Sequence, residues 1–113
     1  MSKYTLKFRA TNKSIYLDIK SGKKSVETRA ASERYKDIKT GDIIILVCGK
    51  ERFEKKVKKA RIFKSIKTLL KTYPIKKIMP HFSTEKELQN ACYSYPGYKE
   101  KIQKYGLIAL ELK

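Results

Sequence analysis

Histidine occurs once in this chain and cysteine twice, too few donors at too wide a spacing to hold a metal ion. No metal and no cofactor is therefore expected. No secretory signal pattern is recognised near Met1, so Cys48 and Cys92 are expected to be two reduced, buried thiols rather than a disulfide. The lone His81 sits between Pro80 and Phe82 and follows no nucleophile elbow, so a Ser-His-Asp arrangement is not suggested. Its residue type suits acid–base work, and an ordinary exposed or hydrogen-bonded histidine is the other reading. No run of 18 apolar residues exists to span a bilayer. The opening Met1-Ser2-Lys3-Tyr4 leads directly into an alternating segment, so an intracellular, cytoplasmic protein without a membrane partner is expected. Repeats and low-complexity linkers are also missing, and 113 residues suit one domain, 1–113.

Acids are scarce as well, 11 against 28 Lys and Arg, which leaves a net charge of +17. Such an excess favours a polyanionic partner. An AT-rich genome or a salt-adapted or heat-adapted surface is the other explanation of 23 Lys against 5 Arg, but such a bias would spread more evenly. Instead, twelve of the basic residues and only two acids, Glu51 and Glu54, fall within residues 50–77. The charge is localised. With 41% apolar and 11% aromatic residues the chain still carries enough hydrophobic material for one core.

Periodicity gives the elements. Tyr4, Leu6 and Phe8 alternate as on a half-buried strand. Ile15, Tyr16 and Ile19 fall on one face of a helix over 12–21, and Gly22 stands where a C-terminal cap belongs. Residues 24–30 return to strand character, and the polar stretch 31–41 ends in a turn at Thr40-Gly41-Asp42. The continuous apolar run Ile43 to Cys48 predicts a central strand buried on both faces. In the segment 52–63, Phe53 and Val57 take one parity while Ala60 and Ile62 take the other, which a β-bulge near Lys58-Lys59 reconciles. Lysines on both parities of that segment predict an exposed ribbon projecting from the body. Ser65 caps a helix that Pro74 ends, a short turn follows from Ile75 to Met79, and Thr84 to Glu87 form a capping box for a helix over 84–95. That helix places Leu88, Ala91, Cys92 and Tyr95 on a core-facing side. A charged helical turn follows Pro96-Gly97, and Leu107 to Leu112 form the last strand. Strands at both ends with helices between them predict an α+β fold, a mixed sheet of about five to six strands curling toward a small barrel, with inserted and flanking short helices.

One segment carries a recognisable pattern. Gly22-Lys23-Lys24-Ser25-Val26-Glu27-Thr28-Arg29 matches G-x-K-x-x-E-x-R, the signature of the ASCH domain, after a short amphipathic helix and at the start of a strand. Tyr35 to Asp42 resembles that family's loop into a Gly-Asp turn, and Tyr95-Pro96 with Tyr105 to Ala109 resembles its closing segment. The resemblance implies a PUA-like β-barrel with a cleft beside the motif, and binding of RNA or a nucleotide. It also implies an alternative: one bacterial branch hydrolyses N4-acetylcytidine with the motif Lys, a Thr three residues on and a Glu ahead of the C-terminal helix. Lys24 matches that Lys, Glu27 stands at the Thr position, and the Glu position falls near Met79 to Phe82, where His81 is the nearest titratable group.

The candidate site follows. Lys24 and Glu27 are the candidate catalytic pair if the chain is an enzyme, an amidohydrolase or a ribonuclease. Lys23, Lys24, Ser25, Glu27 and Arg29 are candidate nucleotide contacts, since Arg supplies a planar fork and Lys a point charge. Glu27 and Arg29 share one face of a regular strand and Lys24 the other, so the three converge only if Lys24 lies on the turn after Gly22. Otherwise Glu27 and Arg29 form an ordinary ion pair. Arg52, Lys55, Lys56, Lys58, Lys59 and Arg61 are candidate phosphate contacts, with DNA and an acidic protein partner left open beside RNA. His81 and Tyr98 complete the set, Tyr98 as a ring on which a base can stack.

Overall fold

The computed structural model describes residues 1–113. Eleven segments follow in order: β1 (Lys3–Phe8), a 3-10 turn (Ala10–Asn12), α1 (Lys13–Ser21), β2 (Val26–Ala30), β3 (Ile43–Cys48), β4 (Glu51–Phe63), α2 (Ile66–Thr72), α3 (Ile75–Ile78), α4 (Glu85–Tyr93), α5 (Tyr98–Tyr105) and β5 (Leu107–Leu112). The strands form one mixed sheet in the order β1-β3-β4-β5-β2. Only the β1–β3 pair is parallel. The sheet curls into a half-barrel, an α+β fold with helices at its side, and β1 and β2 are its two unpaired edges.

Local chemistry sets the boundaries. Gly22 ends α1 at φ 88°, a left-handed conformation that suits glycine, and its N–H donates to the carbonyl of Ile19. Ser65 and Thr68 form a capping box on α2, as Thr84 and Glu87 do on α4. Gly106, at φ 79° and ψ −168°, joins α5 to β5 in a region that only glycine occupies readily, with the Phe63 carbonyl oxygen in the space a Cβ would need. Asp42 pins the N-terminus: one carboxylate oxygen accepts from the Ser2 N–H and the other from the Lys39 N–H, each at 3.0 Å.

Two hydrophobic clusters lie on opposite sides of the sheet. Inside the curl, Leu6, Ile44, Leu46 and Val57 pack with Tyr16 and Ile19 of α1 and with Ile108 and Leu110 of β5. On the other side, Val26, Phe63, Leu107 and Ala109 receive Leu69, Ile78, Leu88 and Ile102 from the four later helices. The strand buried on both faces is therefore β5, not β3. In β3 the buried Ile44, Leu46 and Cys48 alternate with half-exposed Ile43, Ile45 and Val47, because the only helix in substantial contact with it, α1, packs inside the curl.

The 13-residue β4 corrects a second expectation. It is the middle strand, not a projecting ribbon: it pairs with β3 along Glu51–Lys56 and with β5 along Val57–Phe63. The register shift between Val57 and Lys59 is the expected bulge, and it leaves Lys58 with no residue opposite. Lysines occur on both parities because the inward Lys55, opposite Ile44, is only half-buried. Beyond the bulge Ala60 packs on the inner cluster, while Ile62 remains 54% exposed.

Candidate functional site

The αL turn at Gly22 redirects the chain out of α1, and the Lys24 N–H donates to the Asp18 carbonyl at 3.0 Å. Lys24 thus lies ahead of β2, off the strand, and its side chain comes to the same side as those of Glu27 and Arg29. It is 2% exposed. Its ammonium donates to the Val26 carbonyl at 2.8 Å and to the Ile78 carbonyl, lies 3.4 Å from Glu27 Oε1 and reaches Met79 Sδ at 4.0 Å. Glu27 accepts from the Thr28 N–H through Oε1 at 3.0 Å and from Arg29 Nη2 through Oε2 at 3.3 Å. The Arg29 guanidinium, 20% exposed, sits 5.0 Å from the centre of the Phe8 ring.

Burial governs the protonation of this trio. It drives the Lys24 ammonium below the usual lysine range, opposed in part by the charge of Glu27. Burial also acts to raise Glu27, but the charges of Lys24 and Arg29 and the Thr28 N–H outweigh it and hold the carboxyl below the usual range. A buried carboxylate held between two cations stays ionised at neutral pH.

The three residues line one cavity of about 340 Å³, set in the seam between the edge strands β1 and β2. Phe8, Met79 and Leu88 give it apolar walls, and Cys92, Tyr95 and Tyr98 complete the side toward α4 and α5. Lys7 and Arg9, both exposed, stand at its margin with Asn12. The two tyrosine rings meet edge to face at 5.7 Å. Their hydroxyls are occupied: Tyr98 accepts from the Ala30 N–H at 2.8 Å and Tyr95 from Asn12 Nδ2 at 3.2 Å. Burial pushes the Cys92 thiol up to about 11.

The remaining candidates lie elsewhere. His81 is turned away, its side chain 71% exposed and its Nε2 at 3.2 Å from Asp18, because the chain leaving α3 carries Met79 rather than His81 into the cavity. Lys23 is exposed and lies outside the cavity lining. Arg52, Lys55, Lys56, Lys59 and Arg61 run along β4 and line neither cavity. Ser25 and Lys58 line a second, smaller cavity instead. Nothing in the sequence marks Phe8, Arg9 and Asn12 as site residues, and the segment Met79 to Phe82 contributes Met79. Phe8 reads there as one more core residue of an alternating strand, and the proximity of residues 8–12 to residues 91–98 depends on the closure of the fold.

No family model matches the sequence, and no curated protein does. Solved structures do. The crystal structure of hypothetical protein PH0355 superposes with a TM-score of 0.81 at 31% identity, over 98% of this chain and 97% of that one. The chain belongs to the PH0355 family. A second structure, the solution structure of protein PF0455 from Pyrococcus furiosus, aligns with a TM-score of 0.70 at 27% identity, over 98% of this chain and 96% of that one. The likeness to PH0355 therefore runs nearly end to end, through the strands and helices that enclose the cavity.

Proposed function

We propose that the protein is an RNA-binding module of the ASCH type, which takes one nucleotide of a single strand into the cavity beside Lys24, Glu27 and Arg29. The observation that carries this reading is the joint presence of a cation-anion-cation trio and aromatic walls in one cavity on a body of net charge +17. Arg29 spends one of its donors on Glu27 and keeps others for a phosphate or a base edge. Phe8, Tyr95 and Tyr98 offer rings to a base, and stacking of that kind contributes about 1–3 kcal/mol per base. Arg9 and Lys7 at the margin suit the phosphates on either side, and the cations of β4 extend the basic surface.

Binding is favoured over hydrolysis by the state of Lys24. Its ammonium already serves two backbone carbonyls and a carboxylate, so it has no free proton to move and no exposed lone pair with which to attack. The segment Met79 to Phe82 brings a thioether to the site, not a second acid.

The test is fluorescence anisotropy with a labelled single-stranded RNA across a salt series. Contact with about five phosphates predicts a log–log slope near −3.5, and one near −4.5 for a duplex. Absence of RNA binding at low salt, or binding that ignores salt, overturns the reading. Incubation of the same protein with N4-acetylcytidine, followed by chromatography, should leave the nucleoside intact, and the labelled RNA should stay uncut on a gel.

A further inference from the structure

The second cavity, about 270 Å³, has a composition unlike the first. Lys58, Lys77 and Lys113 line it, together with Tyr73, Glu111 and Ser25. Its construction follows from the bulge. Val57 pairs with Leu112 and Lys59 with Glu111, so Lys58 has no cross-strand neighbour and joins the cavity lining. Tyr73 is buried, 7% exposed, and its hydroxyl donates to Glu111 Oε2, which fixes the carboxylate and leaves Oε1 to accept from a guest. Burial and the neighbouring carboxylate push the Tyr73 phenol up to about 12, so it remains a donor at neutral pH.

Three ammonium groups call for an anion, and a tethered carboxylate calls for a hydrogen-bond donor. A bare phosphate satisfies the first and is repelled by the second. A deoxyribose phosphate brings no hydroxyl at the sugar 2′ position. A ribose phosphate satisfies both, its phosphate toward the lysines and its 2′-hydroxyl donating to Glu111.

The two cavities are neighbours along the chain as well. Lys24 and Glu27 line the first, and Ser25 and Val26 line the second. At the end of α3, Lys77 lines the second and Met79, just past the helix, the first, with the Ile78 carbonyl between them holding Lys24. The two linings therefore alternate along residues 24–27 and again along residues 77–79.

We infer that the cavity between Lys58, Lys77 and Glu111 takes the ribose phosphate adjoining the nucleotide held in the first cavity, and that Glu111 thereby selects RNA over DNA. The inference rests on the proposed RNA-binding reading and deepens it.

Its test compares three labelled strands of one sequence, RNA, DNA and 2′-O-methyl RNA, against wild type, Glu111→Gln, Glu111→Ala and Lys58→Ala/Lys77→Ala, each checked by thermal melting for a native fold. Wild type should bind RNA about tenfold or more tighter than either other strand, as expected of a hydrogen bond to a charged acceptor. Glu111→Ala should bring the three affinities within about twofold, and Glu111→Gln, which retains an acceptor for Tyr73 but not the charge, should fall between. The double lysine variant should lower RNA affinity and flatten the log–log salt slope by about 0.7, the share of one phosphate. Equal affinity of wild type for RNA and DNA, or a preference that survives Glu111→Ala, overturns the inference while leaving the first-cavity reading intact if Arg29→Ala still impairs binding. No RNA binding by wild type overturns both.

Discussion

The Lys24 ammonium donates to the Ile78 carbonyl, across 54 positions of sequence, and so fastens the turn after α1 to the end of α3. The same ammonium holds Glu27, so the motif lysine braces the cavity as well as lining it. Lys24→Met should therefore strip a donor from a buried carboxylate and from the Val26 and Ile78 carbonyls, and cost about 3–5 kcal/mol of stability. Thermal or denaturant melting measures it. A variant that melts like wild type would show that the lysine serves only a ligand.

Arg29 is the one member of the trio with donors to spare. Arg29→Ala should weaken discrimination between bases more than it weakens overall RNA affinity, by about tenfold in the ratio for the preferred base. Arg29→Lys should not restore it, since a point charge cannot reproduce a planar fork over the Phe8 ring. Anisotropy with four homopolymers reads the effect. Uniform loss across all four would assign Arg29 to the phosphates.

Acid should unfold the protein through two carboxylates. Asp42 is held below its usual range chiefly by the Ser2 N–H, and Glu27 is held low by Lys24 and Arg29 against the effect of burial. A carboxyl whose folded pKa is depressed stabilises the fold above its unfolded value and loses that contribution as pH falls through the folded value. Stability should be flat from neutral pH to about 5 and decline below about 4. Asp42→Asn should lower the plateau and make the decline shallower. Stability that rises on acidification would contradict the assignment.

The Cys92 thiol, pushed up to about 11 from the usual 9.0, should be nearly unreactive at pH 8. Alkylation by iodoacetamide should run about a hundredfold slower than for the unfolded chain, as the thiolate fraction dictates. Mass spectrometry follows the reaction, and bound RNA should slow it further. Alkylation at the unfolded rate would mean that the cavity wall is open.

Gly106→Ala should cost at least about 2 kcal/mol, because alanine is strained at φ 79° and ψ −168° and its methyl group meets the Phe63 carbonyl. Denaturant melts at neutral pH give the value. A cost of a few tenths would require the α5–β5 junction to be mobile.

Much of this fold can be read from the sequence because its signals are local. The capping residues Ser65 and Thr84, the glycine at 22 and the parity switch across Lys58-Lys59 each act within a few residues, and each marks an observed boundary or bulge. The apolar run at 43–48 misleads, because hydrophobicity alone does not say which strand the later helices cover. They cover β5. The site divides in the same way. Lys24, Glu27 and Arg29 lie within six consecutive residues, and their convergence needs only one turn. Phe8, Asn12 and Tyr95 meet through contacts spanning more than eighty positions, as the Asn12–Tyr95 hydrogen bond shows, and no periodicity carries that information. His81 shows the converse: a residue type suited to chemistry, placed by its backbone on the outside.

The half-barrel is left open between β1 and β2, and the cavity lined by Lys24, Glu27 and Arg29 lies in that gap. That gap is crossed by side chains and not by a backbone ladder, the Arg29–Phe8 contact and the Asn12–Tyr95 hydrogen bond among them. Admitting a bulky guest there would cost side-chain contacts and no interstrand hydrogen bond, so the sheet would not need to melt.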